Sequence, residues 1–106
     1  MTHETYTSCI EACLACARAC EYCGDACIGH PDMQGCVRAC RDCAEACWTC
    51  AGYMSRDSAL AAELCRACAA ACEACASECG QHQAEHCKRC AAACRRCAEE
   101  CRKMAA

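Results

Sequence analysis

Cysteine dominates the chemistry open to this chain: 21 of its 106 residues carry a thiol. They occur as Cys9, Cys13, Cys16, Cys20, Cys23 and Cys27, then as Cys36, Cys40, Cys43, Cys47 and Cys50. A third run is Cys65, Cys68, Cys72, Cys75 and Cys79, and a fourth is Cys87, Cys90, Cys94, Cys97 and Cys101. Within every run the steps alternate between three and four residues. Thiolates are soft ligands suited to Cu(I), Zn(II) and iron–sulfur clusters. Thiols in this number and order point to soft metal held in quantity.

A step alternating between three and four averages 3.5 residues, the period of the buried seam of a packed helix. Taking Cys13, Cys20, Cys27, Cys40, Cys47, Cys65, Cys72, Cys79, Cys87, Cys94 and Cys101 as heptad position a leaves the other ten cysteines at d. The residue before an a cysteine is Ala at 12, 19, 26, 39, 46, 71 and 93. The residue after a d cysteine is Ala at 17, 44, 51, 69, 76, 91 and 98, and Gly at 24. Charges such as Glu11, Arg18, Arg38, Glu45 and Arg95 fall outside these flanks. A lone buried Cys is commonly an inert small hydrophobe, but that reading does not account for a thiol at all 21 seam positions.

Punctuation separates the runs. Gly29-His30-Pro31-Asp32 combines a C-terminal glycine with a proline near the next helix start. Ser55-Arg56-Asp57-Ser58 offers N-cap oxygens, and Gly80 follows the third run as a C′ candidate. The expected helices are 3–28, 32–54, 57–79 and 82–104. Connections this short make neighbours antiparallel, so the expected fold is all-α: an up-down-up-down four-helix bundle with a cysteine-lined core. Residues 1–106 form one domain of that kind.

Bulk composition narrows the partners. The hydrophobic fraction of 57% is mostly Ala and Cys. Leu14, Leu60, Leu64, Ile10, Ile28 and Val37 are the only large aliphatic residues apart from methionine. So small a set fills no ordinary core, and bound metal is the expected supplement. A net charge of −3 argues against nucleic acid, and no apolar stretch reaches membrane-spanning length. Met1-Thr2-His3-Glu4-Thr5-Tyr6 has neither a basic n-region nor an apolar h-region, so the expected compartment is the cytosol, where thiols stay reduced.

Disulfides are disfavoured by the odd count and by spacings that stack thiols along one helix face. Iron–sulfur clusters want CxxC loops that wrap the cluster, whereas pairs such as Cys13/Cys16 and Cys94/Cys97 lie inside helix. Zinc and copper remain. A four-thiolate zinc site carries two negative charges, so five such sites would bury a charge of about −10 with no basic shell. Cu(I) is monovalent and content with two or three thiolates; with each thiolate bridging two ions, one Cu(I) per Cys leaves the core neutral. Pairs such as Cys9/Cys13, Cys16/Cys20 and Cys23/Cys27 could pinch an ion between turns. The alternative is a metallothionein-like buffer for Zn or Cd.

The repeated C-x-x-C-x-x-x-C pattern resembles the cytosolic four-helix-bundle copper storage protein family. So do Glu78-Cys79-Gly80-Gln81-His82-Gln83-Ala84-Glu85-His86-Cys87-Lys88-Arg89-Cys90 and the ending Cys97-Ala98-Glu99-Glu100-Cys101-Arg102-Lys103-Met104. The resemblance covers the whole chain. It implies storage of many Cu(I) ions, about one per Cys, entering at one end of the bundle, and a homotetramer. Some members lack seam cysteines in one helix; here the second helix is complete. The expected partners are copper ions and copper chaperones or efflux proteins, with no nucleic acid and no membrane. No nucleophile–base set appears, so no enzyme is expected.

Antiparallel order gathers Cys27, Cys36, Cys79 and Cys87 at one end with His30, His82 and His86. Cys9, Cys50, Cys65 and Cys101 gather at the other with His3, Met54, Met1 and Met104. Imidazole and thioether both suit Cu(I). The His-bearing end is the expected mouth, where His82 and His86, with His30, capture ions for the thiolates.

Overall fold

The computed structural model describes residues 3–106. A 3-10 turn over His3–Tyr6 leads into α1 (Thr7–Cys27), and a second over Pro31–Met33 leads into α2 (Gln34–Ser55). The remaining helices are α3 (Ala61–Cys79) and α4 (Glu85–Ala105). Each helix packs against the next and α4 closes back on α1, making a rod 43 × 17 × 17 Å. Cys16 meets Cys43 while Cys27 meets Cys36, so α1 and α2 run antiparallel. The all-α up-down-up-down bundle is as expected.

Helix starts differ from expectation for local reasons. The segment expected as helix from residue 57 turns first, because Asp57 adopts a left-handed φ of 54°. The Ser58 hydroxyl then accepts the Leu60 N–H at 3.0 Å, and α3 begins at Ala61. Serine oxygens favour such turns as readily as helix caps. Residues 82–84, also expected as helix, precede α4 because Ala84 is extended, with ψ 141°. At the end of α1, Gly29 takes φ 89°, the left-handed position for which glycine is suited. Gly80, by contrast, closes α3 in ordinary helical geometry.

All 21 cysteines are buried, and no polar or charged residue is buried among the described residues. The small flanks are not equivalent. Ala17, Gly24, Ala44, Ala51, Ala69, Ala76, Ala91 and Ala98, which follow d cysteines, are all buried. Of the alanines that precede a cysteines, Ala12 is buried but Ala19, Ala26, Ala39, Ala46, Ala71 and Ala93 are only half-buried. The tighter pairs are α1 with α2 and α3 with α4. At Gly24 a Cβ would lie 3.1 Å from the Cys40 Cβ, so α1 meets α2 at a spacing set by the missing methyl. Replacing Gly24→Val inserts a stiff branched side chain into that contact. It should lower the stability of the metal-free protein by about 1–3 kcal/mol, read from chemical unfolding under reducing conditions.

Candidate metal centre

The helical seams deliver their sulfurs into one continuous column. Contacts run between helices at 3.5 Å for Cys43–Cys72 and Cys97–Cys13, and at 3.6 Å for Cys16–Cys94, Cys20–Cys90 and Cys50–Cys65. Same-helix contacts one turn apart are longer: 4.0 Å for Cys16–Cys20, Cys43–Cys47 and Cys68–Cys72, and 3.9 Å for Cys90–Cys94 and Cys97–Cys101. The shortest sulfur pairs link helices, and same-helix pairs one turn apart, such as Cys16/Cys20, also lie close enough to share one ion. Even Cys36 and Cys79, at 3.0 Å, stand well beyond the ~2.05 Å of a disulfide, and all 21 thiols are free.

Groups of four sulfurs lie within 4.8 Å of one another throughout the column. Cys13, Cys50, Cys68 and Cys101 form one; Cys13, Cys47, Cys68 and Cys97 another; Cys20, Cys40, Cys75 and Cys90 a third. Each of these takes one sulfur from every helix. Two more, Cys16/Cys43/Cys47/Cys72 and Cys16/Cys20/Cys43/Cys94, share Cys16 and Cys43. These five groups draw on only fourteen different cysteines, so they cannot all be filled as separate four-thiolate sites. Sulfurs so shared are built to bridge.

Proton affinities follow the packing. Hydrogen bonding from Cys20 first, with Cys47 and Cys72, holds the Cys16 thiol down at about 7. Cys68, hydrogen-bonded foremost by Cys101, and Cys75, foremost by Cys20, lie at about 6. Toward the His-bearing end burial wins: Cys23 and Cys87 are pushed up by desolvation, and Cys27 reaches about 12.

At that end Cys23, Cys27, Cys36 and Cys87 pack together at 3.7–4.0 Å. His86 joins them: its Nδ1 lies 3.4 Å from Cys23 Sγ and 3.5 Å from Cys87 Sγ. Tyr22, which sequence reasoning did not single out, meets the His86 ring edge-on, with centroids 6.3 Å apart. His82 is placed differently. Its Nε2 is buried without a hydrogen-bond partner and faces Glu78 Oε2 at 3.6 Å rather than a thiol. His30 is exposed in the α1–α2 turn.

The opposite end is closed. Tyr6 is 5% exposed and Met54 fully buried, with Met54 Sδ receiving the Cys65 thiol at 3.6 Å. Burial, with Cys65, Asp57, Cys50 and Cys9 nearby, raises the Tyr6 pKa. Met104 packs half-buried against the core. Met1 and the His3 side chain lie outside the described residues. Tyr6 was missed in the sequence although it stands seven residues before Cys13, on the cysteine seam itself.

The Csp family model, described as copper storage protein, matches residues 2–106. Apo-Csp3, copper storage protein 3 from Bacillus subtilis, is 46% identical with a TM-score of 0.91, covering 95% of this chain and 99% of that one. A Cu(I)-bound copper storage protein, BsCsp3, is 44% identical over 95% of this chain and 98% of that one, with a TM-score of 0.91. A cytosolic copper storage protein from Streptomyces lividans, solved with five coppers, is 39% identical over 97% and 93% of the two chains, again with a TM-score of 0.91. Among curated proteins none matches the chain.

Proposed function

We propose that this chain, which belongs to the copper storage protein family, stores many Cu(I) ions as thiolate clusters inside its bundle. The observation that carries the reading is the overlap of the four-sulfur groups in a core where none of the described charged residues is buried. Zinc in such groups would leave two negative charges per site with nothing buried to offset them. Cu(I), bridged by shared thiolates, needs no counter-charge, and about one ion per Cys makes the column neutral. The Zn or Cd buffer is accordingly the weaker reading.

All 21 cysteines are assigned as ligands, with His86 as the first protein donor at the mouth and His82 beside it. The support is positional. His86 Nδ1 touches two of the outermost thiols, while Tyr6 and Met54 close the far end. Each ion entering a protonated site forms a Cu–S bond and expels that thiol's proton to solvent. The copper stays monovalent throughout. The reading is storage rather than catalysis, by one domain in the cytosol, exchanging ions with copper chaperones or efflux proteins. No helix among the described residues is long and apolar enough to cross a membrane. Homotetramer formation belongs to the same reading, with Leu14, Trp48 and Ile28 exposed as contact residues.

Anaerobic titration tests the reading. Cu(I) should saturate near one ion per cysteine and give a colourless product, whereas a plateau at about one ion per four thiols with zinc preferred would overturn it. Replacing His82→Ala and His86→Ala together should slow Cu(I) loading in stopped-flow experiments while leaving capacity within about one or two ions of the parent; unchanged kinetics would remove the histidines from the entry route. Acid should weaken binding. Protons compete for every thiolate, and those of Cys16, Cys68 and Cys75, at about 6 to 7, are reclaimed as pH falls from 8 to 5. Proton release per copper therefore rises toward one over that range and affinity falls, measurable by calorimetry in buffers of different ionisation enthalpy.

A further inference from the structure

An ion in the middle of the sulfur column has thiols on both sides along the bundle axis. An ion at either end lacks one of those sides, so a third donor there must come from something other than the next layer of thiols. At the mouth His86 stands in that place, 3.4 Å from Cys23 and 3.5 Å from Cys87. At the closed end the position is taken by a thioether. Met54 continues the alternation of α2, four residues beyond Cys50 and seven beyond Cys47. Its side chain is fully buried, and its Sδ lies 3.6 Å from Cys65 Sγ, itself 3.6 Å from Cys50 Sγ. Tyr6 and the fully buried Ala61 shut this end from solvent.

We propose that Met54 is a metal ligand, completing with Cys50 and Cys65 a mixed thiolate–thioether Cu(I) site at the closed end of the bundle. The inference rests on the storage reading above and adds a donor that is not a thiol. A thioether is soft, suits Cu(I) and is poorly matched to harder divalent ions. It carries neither charge nor proton, so it fills the missing coordination position without disturbing the neutrality of the column. Cys50 and Cys65 each give up a proton on binding and bridge to ions further in. The Met54 sulfur changes neither protonation nor oxidation state. Filling space alone would need only an apolar side chain of this volume; placing sulfur against the Cys65 thiol is what an ion requires.

Selenium X-ray absorption separates the two roles. Protein labelled with selenomethionine and saturated anaerobically with Cu(I) should show a copper neighbour at bonding distance for one of its four methionines. Met54→Leu conserves volume and folds; it should abolish that signal and lower copper capacity by about one ion. Selenium without a copper neighbour in a fully loaded chain would overturn the inference and leave the storage reading intact, as would a signal that survives Met54→Leu. Uptake of only a few ions by the unsubstituted chain would overturn the storage reading itself and the inference with it.

Discussion

Sulfur packed on sulfur, in an interior where no charged group is buried among the described residues, governs what the bundle can hold. Two thiolates 4 Å apart repel by about 4 kcal/mol at an effective dielectric constant of 20, and contacts of 3.5–4.0 Å recur along the column. Many bare thiolates cannot coexist there, so the thiols keep most of their protons until metal arrives. A divalent ion in a four-thiolate group leaves a net charge of −2 in that interior, and a row of such groups compounds it. A monovalent ion replacing one proton changes the charge by nothing. Exchange of one cation for another, thiol by thiol, lets a column this long fill without a growing electrostatic penalty. Capacity on this scale is why the seam between its two ends is given over to one residue type.

Such a column requires helices that come together without bulky side chains. The buried alanines after the d cysteines are small enough for this, and Gly24 lets α1 approach Cys40 of α2 closely. Alanine also has the highest helix propensity, and thiols themselves pack as small apolar groups. The two residue types divide the labour: alanine makes the helices and their spacing, cysteine lines what they enclose. Surface pairs such as Arg41–Glu21 and Lys103–Glu100 are exposed and add little beyond solubility.

Periodicity made most of this architecture legible. A strict three–four alternation in four runs leaves no choice of element, and short punctuation leaves no choice of direction. Antiparallel order also gathered Cys27, Cys36 and Cys87 at one end and Cys50, Cys65 and Met54 at the other; what could not be read was which individual sulfurs meet along the column. The cysteine spacing shows pairs along one helix, such as Cys16 and Cys20, but not which sulfurs of other helices meet them; the shortest contacts, such as Cys16–Cys94, join residues far apart in the chain. The inequality of the two alanine flanks is likewise a property of pairs of helices. The late start of α3 turned on Ser58, whose oxygen serves a turn or a cap equally well. His82 and His86 were both placed at the same end by sequence, yet one touches thiols and the other faces Glu78.

The direction of the tube was also written in the seam, in the residues that succeed the cysteines rather than in the cysteines. Extending the heptads by one step beyond the thiols at one end reaches Tyr6, Met54, Ala61 and Met104. The first three are buried and the last is half-buried, so the core simply continues into an apolar stopper. The same step at the other end reaches His30, Met33, His82 and Gln83, where two imidazoles and an amide stand beside Met33 and the turns leave His30 in solvent. A hydrated ion gains nothing by approaching Tyr6, which can donate no soft ligand and is backed by thiols it covers. At the histidine end it meets His86 already in contact with Cys23 and Cys87. An uninterrupted cysteine pattern would have produced a symmetric rod; the residues at its margins make its two ends chemically different.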